Sequence, residues 1–389
     1  SSSFDKFVVA SIVLTYPSTF NFSGDSVFAF QVDASSTGNY LVIDNFNYNG
    51  VAPVLYDHTN GLRYLADISS TPGQVKFVLP PSTQTRNLTL MSQQMPLTIT
   101  SMQTRNFLNL TQAANQGTYL IISNPRLYND GNGNNYVDEY RQYRSSANGG
   151  SFNAKVYDIS ELTDQFGFGI NNHPGSIRDF IQYSAAQFTP APKFVFIIGR
   201  GVNYIDLLQN AQNPALSQMH LVPTFGWPAS DILLSAPNAT CRPTIPIGRL
   251  AAINPEEVKH YLEKMEEYEQ VQQAASPSVT EKAWMKNFIH VVGGKDSSEN
   301  TAFKNYMRNY EIIARDTLYG ASVETFAKTS TSAVQQASGQ RIEQLFAEGL
   351  SFIGYFGHSS ANTFEFNLSN PELYQNEGKY PFFNVSGCS

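Results

Sequence analysis

Two residues able to perform nucleophilic and acid–base chemistry follow two apolar segments near the end of the chain. Residues 350–357 lead to His358, and residues 380–387 lead to Cys388. Each segment is a short apolar run, which predicts a buried strand. A nearby imidazole can accept the proton of a cysteine thiol, and the thiolate is the form that attacks a carbonyl. The pattern predicts a Cys-His dyad, although buried cysteines and lone histidines are also common structural residues.

The chain between the two segments is long enough to bring both residues to one edge of a sheet. Parallel strands need a crossover of about a dozen residues or more, and residues 359–379 can supply it. In open α/β sheets the ligand crevice lies beyond the carboxyl ends of the strands. We therefore expect His358 and Cys388 to meet at the same rim.

Ser359 offers a second chemistry. The segment Gly357-His-Ser359-Ser-Ala361 differs by one residue from the G-x-S-x-G turn that carries the serine of α/β-hydrolases. That turn must be followed by a helix, and residues 362–371 are poor in helix-forming residues. No histidine follows position 358 either. A serine hydrolase that uses Ser359 is therefore the less favoured alternative.

The segments that carry this chemistry resemble the gingipain-type cysteine peptidases, family C25. The run ending in Gly357-His358 is similar to the family's histidine strand, and the run ending in Gly387-Cys388 is similar to its nucleophile strand. The resemblance implies a caspase-like parallel sheet flanked by helices in two sub-domains, and a reaction that requires no cofactor. It covers about residues 118–389, where further segments occur in the family's order: 164–178, 194–204, 222–231, 245–249 and 256–269.

The resemblance also implies roles for individual residues. Cys388 takes the position of the nucleophile, and His358 takes that of the general acid/base. The oxyanion hole would use the backbone N–H groups of Cys388 and Ser359, and one such donor can lower a barrier by about 3 kcal/mol. Ser359 departs from the family, which usually has glycine there.

The family's acidic partner for the histidine follows the strand that here spans residues 288–294. The matching position falls on or near Gly294, so Asp296 and Glu299 are the nearby acidic candidates. In the family, an acid a little further along the chain selects Arg or Lys next to the scissile bond. This chain offers at most Glu299 there, so no specificity for Arg or Lys is inferred. This incomplete acidic set leaves a non-catalytic pseudopeptidase, acting as a surface or secretion-complex binding module, as the main alternative.

The N-terminal third favours one branch of the family. A β-rich module containing Phe4-Asp-Lys-Phe7 and Leu14-Thr-Tyr-Pro17, directly before a peptidase domain, resembles the sortase of the type IX secretion system. That resemblance implies cleavage of the C-terminal sorting signals of exported proteins through a thioester. It also implies a protein or peptide substrate, secretion-system components at the outer membrane as partners, and an exported protein at a bacterial cell surface, outer membrane-associated or extracellular.

The composition narrows the class of protein. A net charge of −7 and the absence of any Lys/Arg cluster argue against a nucleic-acid partner. Two cysteines cannot form a disulfide framework, and we expect Cys241 to be structural rather than paired with Cys388. No apolar run approaches the length of about 18 residues that a membrane-spanning helix needs.

The hydrophobic patterns predict three regions. Residues 1–113 have short alternating runs separated by turn signals, which predict an all-β sandwich. Residues 114–273 alternate between strands and helices and predict a first α/β sub-domain with a parallel sheet. Residues 274–389 predict a second, caspase-like α/β sub-domain. Because its nucleophile strand comes last, we interpret this sub-domain as truncated and the sequence as a fragment of a longer polypeptide.

A segment before the first predicted helix resembles the start of a calcium loop. Asp130, Asn132 and Asn134 place oxygen ligands at the first, third and fifth positions. The glycine of position six is missing, and Arg141 stands where a bidentate Glu belongs. We expect a solvated turn here, with a structural calcium ion as the alternative.

Overall fold

The computed structural model of the chain divides into two compact units, Ser1–Arg105 and Asn106–Ser389. Each unit has its own buried core, one built from antiparallel strands and the other from strands that alternate with helices. The structure describes residues 14, 16–94, 104–210, 212–226, 228–237, 240–274, 278–327, 332–358 and 374–387.

The N-terminal unit is built from antiparallel strands only, within its described residues. β1, β6, β3 and β4 form one sheet in that order, and β2 pairs with β5 in a second sheet. Apolar side chains from both sheets, such as Leu41 and Leu90, share one buried core. The strands are β1 (Val27–Val32), β2 (Asn39–Asp44), β3 (Val54–Asp57), β4 (Leu62–Leu65), β5 (Gln74–Leu79) and β6 (Arg86–Met91).

An ion pair is buried inside the N-terminal unit. The Arg86 guanidinium donates to the Asp57 carboxylate and to the carbonyl of Pro80, and the side chains of both ions are almost fully buried. Asn60 donates to the same carboxylate through its backbone N–H at 3.0 Å and its side chain at 2.8 Å. These bonds offset the cost of removing two charges from water.

The α/β unit begins with a parallel sheet. Residues 111–117 contain a short 3₁₀-helix at Ala113–Asn115 and bury the Gln116 side chain against this unit. The elements of this half are β7 (Tyr119–Ser123), α1 (Tyr136–Ser145), β8 (Ala154–Asp158), α2 (Ile159–Phe166), α3 (Gly175–Gln187), β9 (Phe194–Ile198), α4 (Tyr204–Gln209), α5 (Pro214–Met219), α6 (Ile232–Ser235), β10 (Ile247–Leu250) and α7 (Pro255–Ala274).

A second parallel sheet follows. Its strands pair in the order β12, β11, β13, β14, and all the pairings are parallel. The elements of this half are α8 (Val279–Lys282), β11 (Asn287–Gly293), α9 (Ser297–Ala314), β12 (Ser322–Ala327), α10 (Ser332–Glu348), β13 (Phe352–Gly357) and β14 (Phe382–Ser386).

The two parallel sheets have the same topology. In each, the first strand is central, the second pairs on one side of it, and the third and fourth extend the sheet on the other side. The chain therefore reverses its direction of winding between β7 and β9 in the first sheet, and between β11 and β13 in the second. Ligands in open α/β sheets bind beyond the carboxyl ends of the strands at such a switch point.

The helix α7 ends the first half and also contacts the second. Asn254 caps it by accepting the Glu257 N–H at 3.0 Å, and Pro255 is its first residue. Val258 and Leu262 of α7 are buried in the core of the first half. Further along the helix, the ring of Tyr268 packs on Trp284 of the second half, with 6.1 Å between the ring centroids.

The predicted fold class is confirmed. Parallel sheets flanked by helices follow a separate antiparallel region, and the strands predicted before His358 and Cys388 are the parallel neighbours β13 and β14. In the described part of the chain, no helix is long and apolar enough to cross a membrane.

Asp57→Ala should strongly destabilise the N-terminal unit. Removing one partner of a buried ion pair leaves the other charge uncompensated, which costs about 3–5 kcal/mol. Urea unfolding of this unit checks the value. The matched control is Asp25→Ala, because Asp25 is exposed in the same unit and its loss should change the free energy of unfolding by about 0.5 kcal/mol or less.

The difference between wild type and Asp57→Ala should also depend on pH. Burial alone would raise the pKa of Asp57, but hydrogen bonds from Asn60 and Arg86 outweigh it and lower this pKa. A carboxyl whose folded pKa is lowered contributes its stability above the unfolded pKa of about 3.9 and loses it as pH falls through the folded pKa. A difference of equal size at neutral pH and well below pH 4 would contradict this account.

Candidate active site

The helix α9 begins just beyond the carboxyl end of β11, at the switch point of the second sheet. Asp296 caps the helix, because its Oδ1 accepts the N–H of Glu299 at 2.8 Å. The Glu299 carboxylate turns back and accepts the N–H of Lys295, also at 2.8 Å. The sequence Asp296-Ser-Ser-Glu299 has the pattern of a capping box, so local sequence folds the Glu299 side chain over the start of the helix.

The same carboxylate reaches His358 at the end of β13. Glu299 Oε2 lies 3.0 Å from Nε2 of His358, and both side chains are partly exposed. The Lys295 N–H, and after it the hydrogen bond with His358, lower the pKa of Glu299. The start of a helix also favours a negative charge. Glu299 is therefore a carboxylate at neutral pH that can orient the imidazole.

Three more contacts hold His358. Its backbone N–H donates to the carbonyl of Gly293 at 2.8 Å, and its backbone carbonyl accepts a hydrogen bond from the hydroxyl of Tyr355. The ring of Phe303, one helical turn after Glu299, lies 5.9 Å from the imidazole between centroids. Both the backbone and the ring of His358 are thus held.

Sequence reasoning did not single out Phe303 or Tyr355. A signal existed for Phe303, since residues four apart on a helix share a face and Glu299 was already a candidate. Tyr355 is buried at 2% exposure, and the apolar character of β13 predicts only that burial, not the contact of its hydroxyl with His358.

A close backbone approach brings β11 and β13 together at this edge. Gly293 pairs with Gly357, and a Cβ added to Gly357 would lie 2.5 Å from the Gly293 carbonyl oxygen and 2.6 Å from its Cα. Only glycine fits at position 357 without separating the strands. The short distance between the strands sets how near His358 comes to the start of α9.

The strand that leads to the predicted nucleophile lies beside β13. Phe352 pairs with Phe382, and the register continues to the pair of Phe356 with Ser386. Cys388 and Ser359 lie outside the described residues, so their roles remain predictions. Cys241 is a free, exposed cysteine.

Of the two acidic candidates, the structure brings Glu299 to His358. Asp296 instead uses its carboxylate as the helix cap described above. The exposed side chain of Lys295 precedes them at the same rim.

At the equivalent edge of the first sheet, an arginine holds the surrounding loops. Arg249 of β10 forms two hydrogen bonds with the Asp231 carboxylate, at 2.8 and 2.7 Å. Its remaining donors bond the carbonyls of Gly199, Val222 and Pro223 at 2.6–3.0 Å. The guanidinium therefore ties the end of β9 to the loop over the switch point.

In the candidate calcium loop, the carboxylate of Asp130 accepts hydrogen bonds from residues of the same loop. Asp130 Oδ1 accepts the N–H groups of Asn132 and Asn134 at 2.7 and 3.1 Å, and Asn134 donates its side-chain amide to Asp130 Oδ2 at 2.7 Å. These bonds are those of a turn before α1. Within the described residues, no group of three or more His, Cys, Asp or Glu side chains is placed to hold a metal ion.

This arrangement can perform acid–base chemistry at one imidazole nitrogen. A neutral imidazole that donates from Nε2 to a carboxylate accepts at Nδ1. Within the described residues nothing hydrogen-bonds to Nδ1 of His358. A histidine–carboxylate pair at this switch point, beside a strand that runs towards a cysteine, is the architecture of a caspase-like cysteine peptidase.

The comparison with protein families agrees with that class. Residues 112–389 match the model described as Peptidase family C25, and the chain belongs to this family. Membership supports cysteine peptidase activity, which is a hydrolase activity, on protein or peptide substrates. No curated protein and no solved structure matches the chain.

Gly357→Ala should disrupt the site. The added Cβ meets only backbone atoms of Gly293, which cannot move aside as a flexible side chain can. We expect a loss of about 1–3 kcal/mol in the free energy of unfolding, by urea titration, and lower turnover because His358 shifts from Glu299. Gly339→Ala in α10 is the matched control, since a Cβ there meets nothing within 4 Å. Equal behaviour of the two variants would contradict the close approach.

Proposed function

We propose that this protein is a cysteine endopeptidase in which Cys388 is the nucleophile, His358 the general acid/base and Glu299 the residue that orients the imidazole. The observation that carries the proposal is the 3.0 Å contact between Glu299 and His358 at the switch point. The register of β13 and β14 supports it, because a continuation beyond Phe356 and Ser386 would bring Cys388 beside His358.

The proposed reaction proceeds in two steps. Nδ1 of His358 takes the thiol proton of Cys388, the thiolate attacks the scissile carbonyl, and the protonated imidazole then gives its proton to the leaving amine. Water or an amine then attacks the thioester carbonyl while His358 takes its proton; the C–S bond breaks, and the leaving Cys388 thiolate takes that proton back from His358. Backbone N–H groups of Cys388 and Ser359 would stabilise the oxyanion. These steps use no cofactor, and a structural calcium ion at Asp130 stays a prediction.

The proposed substrates are the C-terminal sorting signals of exported proteins, as in the sortase branch of the family. The β-rich N-terminal unit that precedes the peptidase unit supports this branch. On this proposal the protein is exported and acts at a bacterial cell surface, outer membrane-associated or extracellular, alongside other secretion-system components. Transfer to an amine would make it a transpeptidase, and transfer to water a simple peptidase.

The surroundings of His358 favour apolar substrate side chains. Phe303, Tyr306 and Phe356, the aromatic cluster, lie beside it: the ring of Phe356 is 5.0 Å from that of Phe303 and 5.8 Å from that of Tyr306. Tyr306 is 53% exposed, so part of the cluster is open to a ligand. Glu299 already bonds His358 and Lys295, and so is poorly placed to bind a basic side chain.

Loss of either proposed reacting group should abolish the chemistry. At about pH 6, well below the usual thiol pKa of about 8.5, iodoacetamide should alkylate Cys388 in wild type but not in His358→Ala. Turnover of a labelled sorting-signal peptide should fall by about 10²–10⁴ in His358→Ala and vanish in Cys388→Ala. Cys241→Ala is the control and should keep both properties. Absence of turnover by both wild type and Cys388→Ala would instead favour the non-catalytic binding module.

Positional scanning should show a preference for apolar residues next to the scissile bond. We expect kcat/KM for Phe or Leu to exceed that for Arg or Lys by about tenfold or more, because the aromatic cluster would bury an apolar side chain. Tyr306→Ala should reduce the preference. Tyr310→Ala, at an exposed position one turn further along α9, should not. A sharp requirement for Arg or Lys would contradict this specificity.

A further inference from the structure

The strand β14 lies next to β13 and has exposed side chains. All five of its residues are exposed, and among the described strands it pairs only with β13. Phe382 adds a stacked contact with Phe352, at 6.0 Å between the ring centroids. Within the described residues no β14 side chain belongs to a buried core, so backbone pairing and an anchor before the first residue help to position the strand.

An anchor lies directly before β14. The hydroxyl of Tyr380 donates to Oε2 of Glu267 on α7 at 2.5 Å, and Nζ of Lys264 lies 5.8 Å from the centre of the Tyr380 ring. Gly378 has φ +68°, and a Cβ there would lie 2.5 Å from Cγ2 of Val271. Lys264, Glu267 and Val271 are spaced by three and four residues, so they share one face of α7. We call Lys264, Glu267, Val271, Gly378 and Tyr380 the α7 clamp.

The clamp is attached to the first half of the α/β unit. Val258, Leu262 and Met265 bury one side of α7 in the core of that half. Glu269, two residues after Glu267, accepts hydrogen bonds from Arg144 at 2.7 Å and from Tyr143 at 2.8 Å, both on α1. The helix that holds Tyr380 is therefore fixed to the first sheet.

The hydroxyl of Tyr380 remains a donor at neutral pH. Burial, and after it the hydrogen bond to Glu267, raise the pKa of Tyr380 above its ordinary value. A hydrogen bond to a charged acceptor is stronger than a neutral one, and the contact of Lys264 with the ring adds a cation–π attraction.

We propose that Tyr380 is a positioning residue, which fixes the nucleophile strand through the α7 clamp so that Cys388 arrives in register with His358. The inference rests on the proposed function, in which Cys388 is the nucleophile. On this account the first half of the α/β unit contributes to catalysis by holding the start of β14.

The test uses the full-length protein with Tyr380→Phe, Glu267→Gln and the double variant. Each single variant should lower kcat and the rate of Cys388 alkylation by about tenfold, with KM changed less than about twofold, because the strand is displaced while the substrate surface is kept. The double variant should be no worse than either single variant, because both remove the same bond. Tyr310→Phe, an exposed tyrosine of the second half, is the matched control and should change nothing.

Hydrogen exchange of the β14 amides separates this inference from the proposed function. Faster exchange in Tyr380→Phe, with exchange in β7 and β9 unchanged, is the expected result and needs no turnover. Unchanged β14 exchange, additive losses in the double variant, or a loss confined to KM would overturn the positioning role. If the proposed function were wrong, the result would be different: wild type and Cys388→Ala would show the same turnover.

Discussion

The site depends on the parallel pairing of β11 with β13 and on the close contact of their backbones where the strands end. Gly293 and Gly357 face each other there, with no room for a Cβ at position 357. Because α9 starts directly after β11 and His358 directly follows β13, this contact sets the distance between the helix start and the histidine. The hydrogen bond from His358 N–H to the Gly293 carbonyl continues the ladder by one residue and fixes the histidine backbone.

At the start of α9, Glu299 hydrogen-bonds both the backbone before the helix and the imidazole of His358. Its carboxylate accepts a hydrogen bond from the backbone N–H of Lys295, and the Asp296 carboxylate accepts one from the N–H of Glu299. These bonds hold the side chain before any substrate is present, so little conformational entropy remains to be lost when it orients His358. The lowered pKa of Glu299 keeps the carboxylate charged in the neutral range.

The two sheets of the α/β unit share a topology but differ at their switch points. In the first sheet Arg249 uses its guanidinium to hold Asp231 and backbone carbonyls over the edge. In the second sheet the edge carries a histidine and a carboxylate with an aromatic cluster beside them. On the proposed function, the first sheet forms a base for α7 and the second sheet carries the chemistry. The α7 clamp links them through Glu267 and Tyr380.

The amino-acid sequence determined the alternation of strands and helices and the residues capable of chemistry, because hydrophobic periodicity and residue type are local properties. It also narrowed the acidic partner to Asp296 and Glu299. Only the tertiary structure decided between them, because the choice depends on how the first turn of α9 faces the end of β13, and these segments are far apart in sequence. The same holds for Tyr380: its partner Glu267 lies more than a hundred residues earlier, and no local pattern predicts a contact that only the packing of two sheets around one helix creates.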